Sequence, residues 1–98
     1  MLYILECRYD TRKSFYGKAQ VLEQNMSDWS EIVLYSYGTL VAKIIKTKKH
    51  IKYIYNGKYS CTTTRHQKEF FKQNGLSDKE IKELFNKGVL EYESINSK

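Results

Sequence analysis

The 98-residue chain has no proline, five glycines and two cysteines. No linker, low-complexity tract or internal repeat divides it, so residues 1–98 read as a single domain, within the size that one hydrophobic core serves. Long hydrophobic runs are also missing. The longest early one, Met1 to Leu5, is stopped by Glu6 and Arg8. That is far short of the ~20 residues that span a bilayer and of a ~7–15-residue signal core. Neither a membrane segment nor a secretory signal is expected, and the expected location is a bacterial cytoplasm. There Cys7 and Cys61 stay reduced, with no disulfide. The chain contains no Walker sequence, Gly-rich phosphate loop or Gly-x-Ser-x-Gly elbow. A domain of this size leaves little interior for a deep substrate cavity, so a large cofactor enzyme is excluded and no cofactor is expected.

What the chain does have is 41% hydrophobic residues, 14% aromatics and 29% charge, enough apolar material for a modest core and too much for a disordered chain. Its lean toward Lys, Ile, Asn and Tyr is that of an AT-rich coding sequence. The formal charge is +6, unevenly spread. Between residues 39 and 72 stand Lys43, Lys46, Lys48, Lys49, Lys52, Lys58, Arg65, Lys68 and Lys72 against Glu69 alone, so this stretch carries +8 and the rest of the chain −2. The asymmetry points to an anionic partner, either a polyphosphate backbone or an acidic protein surface, with a merely solvated basic face as the plain alternative.

Residues 1–61 read as mainly β. Leu2 to Arg8 alternates, Tyr9 to Ser14 is a turn, and Phe15 to Glu23 alternates again with Phe15, Gly17, Ala19 and Val21 on one side. Residues 24–30 form a polar loop whose Trp29 is expected to cover the core edge. Ile32 to Tyr37 and Thr39 to Thr47 are strands separated at Gly38 by a turn or bulge. His50 to Tyr55 is a further strand, and Asn56-Gly57 predicts a type I′ hairpin that sets Tyr55 opposite Lys58 and Ile54 opposite Tyr59.

From residue 62 the period changes. Thr64 with Gln67 has a capping-box spacing, and Gly75 supplies a left-handed stop, so the pattern predicts a helix over 65–74. Ser77 with Glu80 is a second capping box. Leu76 and Ile81 fit a hydrophobic staple, and Ile81, Leu84 and Phe85 stripe a helix that ends at Gly88. Residues 62–88 are therefore two helices. Residues 89–98 are a short strand or tail, fraying at 96–98. The fold class is α+β: an antiparallel sheet of five or six strands followed by two C-terminal helices packed on one face.

Four chemistries bear testing. Structural zinc needs close Cys or His pairs, and Cys7, Cys61, His50 and His66 provide none. No metal site is expected, and the cysteines read as small buried hydrophobes. Nuclease chemistry needs clustered carboxylates, whereas Asp10, Asp28 and Glu31 are scattered. His66 and the Thr62–Thr64 cluster read either as a functional group or as helix-start capping. No catalytic residue is assigned. A helix-turn-helix reading is weakened by the balanced charge of the second helix. Tyr53, Tyr55 and Tyr59 among lysines fit base stacking by a single-strand binder, but alternating Tyr at strand spacing also builds core faces and cross-strand ladders.

The stretch 35–44 (YSYGTLVAKI), the stretch 59–70 (YSCTTTRHQKEF) and the opening 9–19 (YDTRKSFYGKA) together resemble short proteins of phages and mobile elements of low-GC Gram-positive bacteria. The resemblance spans about residues 9–75 and implies no catalytic residues. It implies a context in which small accessory proteins take over host functions or inhibit defence nucleases, anti-CRISPR proteins among them. The expectation is a non-enzymatic inhibitor of a host or defence nucleic-acid enzyme. The basic residues from Lys43 to Lys72 would form its contact surface, and Tyr53, Tyr55 and Tyr59 are possible aromatic contacts. A direct DNA or RNA binder is the alternative, and a small hydrolase ranks below both.

Overall fold

The computed structural model describes residues 1–10 and 14–93. A six-stranded antiparallel sheet runs in chain order: β1 (Leu2–Ile4), β2 (Ala19–Asn25), β3 (Trp29–Ser36), β4 (Thr39–Thr47), β5 (His50–Tyr55) and β6 (Val89–Glu93). Helices α1 (Cys61–Gln73) and α2 (Asp78–Lys87) are inserted between β5 and β6. This is the expected α+β architecture, and the helices pack on one face. α1 lies against β3 and β4, and α2 against β5 and β6.

The pleat sorts each strand. Ala19 and Val21, Ile32 and Leu34, Ala42 and Ile44, Tyr53 and Leu90 face the helices, where they meet Phe70, Phe71, Ile81 and Leu84 in one buried cluster. Two Tyr-Gly pairs make tight turns. Tyr37 and Gly38 have φ of 52° and 81°, the backbone of a two-residue I′ hairpin, and join Ser36 to its partner Thr39. Tyr16 and Gly17 repeat the pattern at 53° and 74°, with Lys18 N donating to Phe15 O. A bulge opposite Leu34/Tyr35 leaves Val41 without a register partner on β3, and its carbonyl instead accepts from Asn56 N and Gln67 Nε2.

Several expected boundaries move, each for a tertiary reason. Asn56-Gly57 is not a hairpin: Ile54 pairs with Lys43 and Val89, and Tyr55 with Ala42. The edge of β5 that a hairpin would use is taken by β6, and Gly57, at φ 99°, leads into α1. Ser60, not Thr64, caps α1 by accepting from Thr63 N. Gln67 is buried and donates to Val41 O and Gly57 O, so it takes no part in a capping box. β1 stops at Ile4 because the amides of residues 8–10 turn toward α1, and β2 starts at Ala19 because the Tyr16-Gly17 turn occupies its expected beginning. Trp29 opens β3 opposite Thr47 rather than lying in a loop. By alternation it falls on the face away from the helices. The second helix stands as expected, with both halves of the Ser77–Glu80 capping box and Gly88 in the left-handed region. The middle of the expected turn 9–14 and the fraying of 96–98 lie outside the described residues.

Candidate functional site: a basic cleft along α1

α1 is amphipathic in charge as well as hydropathy. Phe70 and Phe71 point inward, while Arg65, Lys68 and Lys72 recur at helical spacing on the outer side, below Cys61. With Lys58, which precedes the helix, these cations line one cavity of about 450 Å³. A neighbouring hollow of about 520 Å³ shares Tyr9 and Lys72 and extends the groove toward the α1–α2 turn.

The far wall is the segment 8–10, held by one carboxylate. Glu69 is 1% exposed, and its oxygens accept from Arg8 N (3.1 Å), Tyr9 N (2.9 Å) and Asp10 N (3.0 Å) as well as from Gln73 Nε2 (2.6 Å). Three successive amides around one anion form a nest. Asp10 then pairs with Arg65 at 2.9 Å, and Lys72 with Asp78 at 2.9 Å. Among the described residues Lys58 and Lys68 make no ion pair.

The nine basic residues of the charge-rich stretch thus fall in three places. Lys58, Arg65, Lys68 and Lys72 meet in the cleft. Lys46, Lys48 and Lys49 are exposed at the β4–β5 turn, about 20 Å from the Lys58 end of the cleft by the length of β5. Lys43 and Lys52 lie on the helix-free face of the sheet, where Lys43 pairs with Glu31 at 3.5 Å. They do not form one continuous basic surface. The tyrosines divide too. Tyr53 is buried, edge-on to Phe71, and Tyr55 stacks on Phe85 at 4.2 Å, so both serve the core rather than a stacking platform. Burial pushes both phenols above their ordinary value, helped at Tyr53 by the Glu80 charge and at Tyr55 by Tyr59. Tyr59 remains half exposed. Tyr9 and Thr64 also line this cleft, and no local sequence pattern marks Asp10 and Glu69 as part of it, because their contacts there cross more than fifty residues.

The Ser/Thr/His cluster is a second polar centre. Ser36 Oγ lies 2.8 Å from His66 Nδ1 and 2.9 Å from Thr63 Oγ1, with all three side chains buried. His66 lies in the second turn of α1, between the edge of Phe15 (4.5 Å) and the face of Tyr37 (5.8 Å). A cavity of about 340 Å³ reaches His66 but not Ser36. The contact therefore fastens β3 to α1. Cys61 is exposed, against the expectation of a buried hydrophobe, because it begins the helix on its outer side; Cys7 is half-buried on the core. Among the described residues no group of three or more His, Cys, Asp or Glu is placed to hold a metal ion. No helix among them is long and apolar enough to cross a membrane.

Residues 3–87 match a protein-family model, Family of unknown function (DUF8033). The chain belongs to this family. The match takes in the sheet through β5, both helices and every residue of the α1 cleft, so the cleft is carried on the family's own domain. No curated protein and no solved structure matches the chain.

Proposed function

We propose that the protein is a non-enzymatic binding protein that seats an acidic segment of a protein partner in the α1 groove. The carrying observation is the chemistry already seated there: the groove's cations and amides hold the carboxylates of Asp10, Glu69 and Asp78, and Lys58 and Lys68 remain to meet further ones. Guanidinium and ammonium groups arrayed along a helix face suit a run of carboxylates. The resemblance to phage and mobile-element proteins supplies the context, a host or defence nucleic-acid enzyme whose acidic surface the protein covers. A second reading, direct nucleic-acid binding, is favoured by exposed Lys48 and Lys49 and by half-exposed Tyr59.

The test compares a fluorescent oligo-glutamate peptide with a single-stranded oligothymidine on three proteins. Lys58→Glu with Lys68→Glu is expected to abolish peptide binding, while Lys46→Glu, Lys48→Glu and Lys49→Glu together, a larger change in net charge, leave it within about threefold. Equal loss in both variants means that general charge and not the cleft binds the peptide. Tight oligothymidine binding at physiological salt replaces the protein-partner reading with the direct one.

A further inference from the structure

The helix-free face of the sheet carries apolar side chains on all six strands, with charged ones set among them. One register row crosses all six strands as Leu2, Leu22, Val33, Lys43, Ile54 and Val89. Val33 is only 3% exposed yet stands outside the buried core cluster, since it faces away from the helices. Leu2, Ile4, Trp29 and Val89 on the same face are 39–62% exposed. Large apolar side chains left exposed on one sheet face mark an interaction surface. Six strands about 4.8 Å apart and central strands of seven to nine residues give the face roughly 600 Å² in projection. Side-chain relief brings that toward the ~800 Å² per partner of a standard interface.

The charges on this face select the occupant. They are Lys43 and Lys52 against Glu31, Glu91 and Glu93, close to balance, on a chain whose net charge is +6. A strongly acidic or strongly basic partner gains nothing there, whereas a surface that is its own electrostatic complement does. Lys43 and Glu31 also occupy β4 and β3, the two central strands. A two-fold axis running along the strands through mid-sheet lays β3 of one copy over β4 of the other. Lys43 of each copy then comes beside Glu31 of its mate, one side-chain row away and within a lysine's reach across sheets ~10 Å apart. We infer that this face is an isologous interface on which a second copy of the chain packs sheet to sheet, with the two α1 grooves facing outward. Sandwich packing of aligned sheets supplies the geometry.

Sedimentation equilibrium from ~5 to ~200 µM tests it, with far-UV circular dichroism confirming the fold of each variant. The wild type is expected to be dimeric. Lys43→Glu and Glu31→Lys, each of which sets four like charges together, are expected to weaken dimerisation at least tenfold, and the double exchange to restore it. Val89→Lys, at an exposed edge-strand position, is expected to give a folded monomer. A wild type that stays monomeric through ~200 µM overturns the inference. So do single reversals that dimerise as well as the wild type, or a double exchange that fails to recover.

Discussion

Replacing Glu69 by Gln is the sharpest perturbation of the groove, because one carboxylate holds all three backbone amides of its far wall. The side chain is 1% exposed and accepts three backbone N–H groups and the Gln73 amide. Every group facing it is a donor. An isosteric amide keeps one accepting oxygen and turns an NH2 toward the donors on the other side. These are Arg8 N with Gln73 Nε2, or Tyr9 N with Asp10 N, according to which way the amide sits. At least two hydrogen bonds are lost, and the survivors lose their charge. Bonds to a charged group are worth about 1.5–3 kcal/mol each and a stranded buried donor costs a similar amount, so the loss is about 3–5 kcal/mol. Against a typical stability of ~5–15 kcal/mol this is severe. At ~4–8 °C per kcal/mol for a domain of this size, Tm falls by roughly 12 °C or more. Calorimetry measures the fall, and amide exchange by NMR assigns it: the protection of Arg8, Tyr9 and Asp10 should drop more than that of core β4. A Tm within about 3 °C of wild type, with the three amides still protected, would refute the assignment of Glu69 as the anchor of this wall.

Tyr16→Asn should raise stability by up to about 1 kcal/mol, seen as a Tm a few degrees higher, since Tyr16 is 79% exposed and held at φ 53°, where Asn is comfortable and Tyr is not. Tyr37→Asn should gain less, because its ring stacks on His66. At the alkaline end, burial and the Glu80 carboxylate it donates to push the Tyr92 phenol up to about 12. Its contribution is therefore complete below about pH 10 and fades as pH rises toward 12. Tyr92→Phe should flatten the loss of stability over that window in denaturant titrations. At the acid end, the Ser77 amide and then the Tyr92 hydroxyl hold Glu80 below its ordinary value. Its contribution is present above about pH 4.5 and lost as pH falls through the folded value, so Glu80→Gln should shallow the acid limb.

The elements that sequence specified well are those whose signals are local. The Ser77–Glu80 box, the Leu76–Ile81 staple and Gly88 lie within a dozen residues and bound α2 without reference to the sheet. The start of α1 falls one helical turn before the Thr64 that the sequence pattern selects, at Ser60, which accepts from Thr63 N. What decides is Gln67, whose amide is drawn inward by the bulged Val41 carbonyl, a partner visible only in the folded chain. Asn56-Gly57 misled for a related reason: a local turn preference loses to the burial of Tyr53 beside Leu90 and beneath Phe71. Tyr-Gly, at the two turns with consecutive positive φ, carries no such reputation, because only one of its residues favours positive φ.

The cleft shows the same limit in electrostatic form. Counted along the chain, residues 39–72 hold +8, but the pleat sends Lys43 and Lys52 to the far face and β5 separates the lysine turn from α1. The lining itself carries Lys58, Arg65, Lys68 and Lys72 against Asp10 and Glu69, a local balance of +2. A ligand confined to the cleft then meets a field of about two charges. If a nucleic acid binds there alone, log affinity should fall with log salt at a slope near −1.5 to −2, against about −6 to −7 if all eight net charges act together. Measuring oligonucleotide affinity from 50 to 300 mM salt separates the cases. A steep slope would mean that the three groups of cations act as one surface that the nucleic acid wraps, and the cleft would lose its claim to be the site.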